Sequence, residues 1–186
     1  VQKIPTVYER TEDRKFVVPD RSHISPGCDW VLLGEGTPTR KWNGTCVMLD
    51  QFGLWWARRD VKPGGTEPER FFLVHEDVVT GNKTGYEPIE NSGFAKLHAE
   101  AVANNTVWEP GTYELIGPKI NGNLDQVESH VLMEHASAPS LPMYYDEPID
   151  VVAYAATLGW EGIVWHHPSG RMAKLKVRDI PPTASA

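Results

Sequence analysis

The residues best equipped for covalent chemistry in this chain are a few lysines and carboxylates. The stretch "TRKWNGTCVMLD" (39–50) sets Lys41 three positions ahead of Gly44 and then enters a β-like run. A lysine attacks phosphorus only after shedding a proton, which nearby cations and desolvation promote. It also needs fixed positive charge for the phosphate oxygens and a carboxylate to hold a metal or orient a ribose. The segment "EGIVWHHPSGRMAKLKVRD" (161–179) supplies both. Glu161 opens it, "PSG" reads as a hairpin turn, and a period of two puts Lys174, Lys176 and Arg178 on one face of the returning strand, opposite Ala173, Leu175 and Val177. Spacing alone does not single out Lys41, because Lys62 ("KPGG") and Lys119 ("KING") share the K-x-x-G pattern.

Strands must do most of the positioning. The runs "DWVLL" (29–33), "TCVMLD" (45–50), "LWWARRDV" (54–61), "RFFLVHEDV" (70–78), "GTYELIG" (111–117), "GIVWHH" (162–167) and "RMAKLKV" (171–177) are rich in β-branched and aromatic residues. Helical periodicity is seen twice: Phe94, Leu97, Ala101 and Val102, and then Ile149, Val152, Ala153 and Ala156, the second with Pro148 at its first position and Gly159 as its stop. Few helices among many strands in irregular order imply an α+β fold with mostly antiparallel sheets.

A chain of 186 residues has material for one full-sized core, so residues 1–186 are expected to form a single domain, with 179–186 as a tail. No apolar run approaches a membrane span, and the charged start "VQKIPTVYERTEDRKF" lacks a signal-peptide core, which makes a cytoplasmic location the expectation. Cys28 and Cys46 stand apart and read as reduced structural thiols. A net charge of −7 argues against binding nucleic acid over the whole surface, so a polyanion requires a local basic site.

Taken in order, "KWNGT" (41–45), "TYELIG" (112–117), "EGIVW" (161–165) and "KLK" (174–176) resemble motifs I, III, IV and V of the covalent nucleotidyltransferases: DNA ligases, RNA ligases and capping guanylyltransferases. The closer resemblance is to the compact ATP-dependent RNA ligases, the group that includes the vertebrate 5′-phosphate/3′-hydroxyl RNA ligase. It rests on "WAR" (56–58) with "KP" (62–63), "ELIG…INGN" (114–123), "EGIVWH" (161–166) and Gly170 four residues before Lys174. The resemblance implies an adenylation domain without an OB domain, acting on RNA 5′-phosphate and 3′-hydroxyl ends with ATP and Mg²⁺ or Mn²⁺. Lys41 would be the nucleophile that carries AMP, and Lys174 and Lys176 would hold the α-phosphate and pyrophosphate. Glu161 would bind metal, Glu114 the ribose or metal, and Arg58 the nucleotide or the 3′-hydroxyl strand. His135 would lie near the adenine, and Arg40 and Gly44 would contribute to the nucleotide site. Two departures stand out, since the family often has Glu just before the lysine and Asp two places after it, where this chain has Arg40 and Asn43.

Other readings make different use of the same residues. A DNA-ligase-type adenylation domain or a GTP-using capping enzyme would keep the lysines; a glycosidase would use Glu114 and Glu161 as its acid pair. A non-catalytic single-strand binding module would use the tryptophans and basic strands.

Overall fold

A computed structural model describes residues 3–103, 107–142 and 147–182. The fold is α+β, with antiparallel sheets and few helices. Its elements are α1 (Asp29–Leu32), β1 (Thr37–Lys41), β2 (Thr45–Leu49), β3 (Trp55–Val61), β4 (Phe72–Glu76), β5 (Lys83–Pro88), α2 (Ala95–Val102), β6 (Gly111–Ile116), β7 (Val131–Glu134), α3 (Pro148–Thr157), β8 (Gly162–His166) and β9 (Met172–Lys176). Among the described residues, no helix is long and apolar enough to cross a membrane.

The chain divides into two compact units, one built chiefly from Asn43–Ser137 and the other from Ile4–Trp42 with the residues from Ala138 on. In the second of these, a three-stranded sheet has the order β1-β8-β9. Pro38, Ile163, Trp165, Ala173 and Leu175 are buried on one face, where Val151, Val152 and Ala155 of α3 join the core. Thr39, Lys41, Val164, His166, Lys174 and Lys176 lie on the opposite face and are half-buried.

α3 ends in a way that matters for the site. Gly159 has φ +72°, its N–H bonds to the carbonyl of Ala156, and the N–H of Trp160 reaches back to Ala155 at 3.1 Å. This paired closure of the last turn needs a left-handed residue, which glycine adopts without steric cost. It turns the chain so that Trp160 and Glu161 lead directly into β8.

The other unit holds a six-stranded sheet of order β4-β5-β3-β2-β6-β7. Val47, Leu49, Tyr113, Leu115 and Leu132 form its core with Ala101 of α2, and Trp55, Phe94, Leu97 and Val102 pack against them.

Three sequence expectations need correction. Residues 29–33 begin as a one-turn helix and not a strand, because Asp29 opens a turn whose carbonyls are taken up locally by Leu33 and Gly34. The buried stripe of α3 is Pro148, Val151, Val152 and Ala155, one residue out of step with the expected face; Ala153 and Ala156 are exposed. Val152 is common to both faces, and the observed rotation adds Val151 to the core in place of Ala153. The last strand stops at Lys176, and Val177–Asp179 turns as a 3₁₀ helix, so Arg178 leaves the alternation that Lys174 and Lys176 keep. The expected first helix holds as Ala95–Val102, while residues 104 and 105 of that stretch lie outside the described residues.

His98 on α2 offers a test of this packing. Its ring meets Trp55 edge-on at 4.6 Å, its Nε2 has no hydrogen-bond partner among the described residues, and burial lowers its pKa from 6.5 to about 4. Between those values the unfolded chain binds a proton here that the folded chain does not, so stability falls as pH drops through the window. His98→Phe is expected to remove that part of the slope, as read by urea unfolding across the window.

Candidate functional site

The register of the three-stranded sheet assembles the first cluster. Lys41 pairs with Gly162, and Gly162 pairs with Lys176, so the two lysines occupy one cross-strand row on either side of a residue with no side chain. Their strands are about 10 Å apart across β8, too far for direct contact between backbones. Glu161, at the entrance to β8, spans the gap: Lys41 Nζ donates to its Oε2 at 2.5 Å and Lys176 Nζ to its Oε1 at 2.7 Å. Lys41 Nζ also reaches the carbonyl of Trp42 at 3.2 Å. The Glu161 side chain is only 6% exposed and each lysine 18%. Burial pushes the carboxyl upward, but the opposing pull of Lys41 and Lys176 is stronger, and its pKa settles below the ordinary value.

Gly162 is required here. A Cβ on it would lie 2.3 Å from the carbonyl oxygen of Leu175 and 2.7 Å from the Cα of Lys176. The glycine of "EGIVW" is therefore a close-approach residue that lets β9 bring Lys176 to the carboxylate. Lys174 lies one row along on the same face, paired with Val164. Its backbone exchanges hydrogen bonds with Pro5 and Val7, so this edge of the sheet is covered at that point.

Arg40 has the opposite strand parity from Lys41 and does not join the cluster. Its guanidinium carbon lies 3.7 Å from the ring centroid of Trp42 and 5.5 Å from that of Trp160.

The second cluster lies on the six-stranded sheet, and Glu114 of β6 is its centre. One carboxylate oxygen accepts from the backbone N–H of Gly44 at 3.1 Å, and the other meets Nε2 of His135 at 3.0 Å. Because a carboxylate only accepts, Nε2 carries the proton, and Nδ1 pairs with the Thr112 hydroxyl at 3.0 Å. Both ring nitrogens are thus engaged within the cluster. Gly44 shows the same logic as Gly162: a Cβ there would sit 2.2 Å from the Leu115 carbonyl oxygen and 2.9 Å from Glu114 Cγ. Cys46 pairs with Glu114 across β2 and β6. Burial and then the Glu114 charge push its thiol pKa up, which disfavours a thiolate nucleophile.

Arg58 faces Tyr86 across β3 and β5, whereas Arg59 pairs with Gly85 at the opposite parity and is exposed. The Arg58 charge offsets a small part of the rise that burial imposes on the Tyr86 hydroxyl. Asn43 takes part in a local tie. Its N–H donates to Asp125 at 3.0 Å, its side-chain nitrogen to the carbonyl of Asn121 at 3.2 Å, and Asn121 returns a bond to the carbonyl of Gly44 at 2.8 Å. Asn121 and Asn123 of the "INGN" turn have positive φ, a conformation that asparagine adopts readily, and Gln126 beyond it also has positive φ.

Among the described residues, no group of three or more His, Cys, Asp or Glu gathers at a point that could hold a metal. Mg²⁺ bound through one carboxylate and substrate phosphates does not need such a group. The two carboxylates expected to hold metal are each already engaged, Glu161 by Lys41 and Lys176 and Glu114 by Gly44 and His135.

Sequence reasoning did not anticipate Trp160, Asp125 or Thr112. Trp160 alone had a signal, since it stands between the Gly159 helix stop and Glu161. Compared with protein-family models and with curated proteins, the chain gives no match.

Two substitutions test the geometry of the first cluster. Gly162→Ala is expected to cost about 1–3 kcal/mol from overpacking against β9, measured by urea unfolding. Glu161→Gln leaves two ammonium groups without their counter-charge, and about 2–3 kcal/mol should be lost because the lysines still reach water. The depressed carboxyl pKa contributes stability that is complete above 4.5 and is lost as pH falls through the folded value. The variant should lack that portion of the acid transition.

Proposed function

We propose that the chain is an ATP-dependent RNA ligase that works through a lysine–AMP intermediate on Lys41. The observation that carries the reading is the row Lys41–Gly162–Lys176 with Glu161 bonded to both lysines, formed by residues of the ordered motifs. A turn lysine in solvent would not be one-fifth exposed and aimed at a buried carboxylate.

In the first step the Lys41 ammonium sheds one proton to solvent, the freed Nζ lone pair attacks the α-phosphorus of ATP, the P–O bond to the β-phosphate breaks, and pyrophosphate leaves while a second proton passes from nitrogen to solvent. Glu161, held ionised by its neighbours, orients Lys41 rather than retaining either proton. Lys176 and Lys174 present fixed positive charge to the phosphate oxygens, which replaces water at little reorganisation cost. Next, a 5′-phosphate oxygen of RNA displaces the lysine from the AMP phosphorus, and the amine regains its protons. A 3′-hydroxyl then attacks the 5′-phosphorus, and AMP departs as the strands join. Each step is a displacement at phosphorus, so one set of cations serves all three. A divalent ion on Glu161 would add positive charge at the α-phosphate. Gly44, Glu114, His135 and Arg58 take nucleotide or strand contacts under this reading, with the support of the family resemblance. The lowered pKa of Glu161 opposes the glycosidase alternative, whose general acid needs a raised one.

The test is incubation with α-phosphate-labelled ATP and Mg²⁺ or Mn²⁺, followed by denaturing gel and intact mass. Wild type should gain AMP, Lys41→Ala should gain none, and Lys176→Ala should do so about 100-fold more slowly. Substituting GTP for ATP and DNA ends for RNA ends separates the capping and DNA-ligase readings. Folded wild-type protein without an adduct in either metal would overturn the proposal, and RNA affinity that survives Lys41→Ala would then favour a binding module.

A further inference from the structure

We infer that Arg40 is a positioning residue for the Lys41–Glu161 pair, and not a nucleotide contact; the inference rests on the reading of Lys41 as the nucleophile. Arg40 lies on the core-side face of β1, with the parity of Pro38, opposite the half-buried face that carries Lys41. Two indoles lie against this guanidinium, Trp42 at 3.7 Å and Trp160 at 5.5 Å from ring centroid to guanidinium carbon.

The two tryptophans are not arbitrary partners. Trp42 follows Lys41 and gives its carbonyl to the Lys41 ammonium, while Trp160 precedes Glu161. Each member of the ion pair therefore has a sequence neighbour stacked on the same guanidinium. Trp42 is 8% exposed, and Trp160 packs against the buried core while its N–H closes the end of α3. The backbone N–H of Arg40 is fixed to the carbonyl of Pro139 at 2.8 Å, and Arg40 pairs with Ile163, one residue along from the Lys41–Gly162 pair.

The guanidinium thus acts from behind the sheet, holding the segment with the amine against the segment with the carboxylate. A planar, delocalised cation suits a site between two rings, and a lysine ammonium does not reproduce that fit. This also accounts for an arginine where the resembled family often has a glutamate: an acid would meet the negative faces of two indoles.

The two roles predict different kinetics. A residue that grips the nucleotide raises KM for ATP when removed, whereas one that aims the nucleophile lowers the rate of bond formation. We expect Arg40→Met and Arg40→Lys to slow single-turnover adenylylation by about tenfold or more with KM for ATP changed less than about twofold. Trp160→Phe retains an aromatic face and should stay near wild type, while Trp160→Ala should resemble Arg40→Met. Independently of catalysis, trace labelling with acetic anhydride and peptide mass analysis should show Lys41 reacting faster, relative to exposed Lys96, in Arg40→Met and Arg40→Lys than in wild type.

Thermal unfolding identifies any variant that does not fold, and the conservative Arg40→Lys and Trp160→Phe proteins then carry the comparison. A raised KM with unchanged rate, or unchanged rate and unchanged Lys41 labelling, overturns the inference. Wild-type protein that forms no adduct, alongside Lys41 labelling that rises on Arg40 substitution, would remove the ligase reading while the positioning role stands.

Discussion

One carboxylate facing two ammonium groups governs the architecture of the first cluster. Glu161 meets Lys41 and Lys176 only because their strands flank its own in a fixed register. A slip of one residue in either pairing would carry a lysine to the apolar face. Removing these charges from water costs free energy that their attraction only partly returns, so stability alone gives little reason to keep them. The surroundings are arranged to make the meeting obligatory. The left-handed Gly159 closes α3 and aims Glu161, and Gly162 admits the backbone of β9 to close range. On the opposite face the Arg40 guanidinium lies against Trp42 and Trp160.

The two motif glycines express one rule. Gly44 and Gly162 have no space for a Cβ, and each touches backbone or side-chain atoms of a strand bearing a candidate site residue: Glu114 in one case, Lys176 in the other. Such glycines are sites of contact rather than sites of flexibility. A glycine that follows a lysine at the spacing of "KWNG" is informative only when its missing side chain admits another strand. That is the case for Gly44; for Gly65, in "KPGG", the nearest atoms to an added Cβ belong to its own turn.

Much of the fold was legible because strands with alternating burial and helices with clear stops carry strong local signals. The β8–β9 hairpin emerged with its lysines on one face, and Pro148 and Gly159 bracketed α3. What the sequence hid has physical causes. β1 contains Pro38 and four polar or charged residues, so its strand character comes from pairing with β8 and not from composition. Without β1, the parity that separates Arg40 from Lys41 cannot be read. β5 contains Gly85 and Glu87 and is buried along most of its length, again a strand made by its neighbours. The one-turn α1 looked like a strand because four apolar residues in a row fit either conformation. The polar tie from Asn43 to Asn121 and Asp125 joins residues about 80 positions apart, and no periodicity reports such a contact.

That tie also bears on how the molecule ages. Asn43–Gly44 and Asn121–Gly122 are both Asn-Gly steps, the dipeptide in which a side-chain amide is most easily attacked by the next backbone nitrogen, and asparagine is among the thermolabile residues. Here the side-chain nitrogen of each donates to backbone at the other step, and the Gly44 nitrogen is itself committed to Glu114. The folded chain thereby withholds the geometry that deamidation needs. Loss of either amide would place a new carboxylate where a donor stood and break the tie, so the chemical lifetime of this junction depends on the hydrogen bonds that shape it.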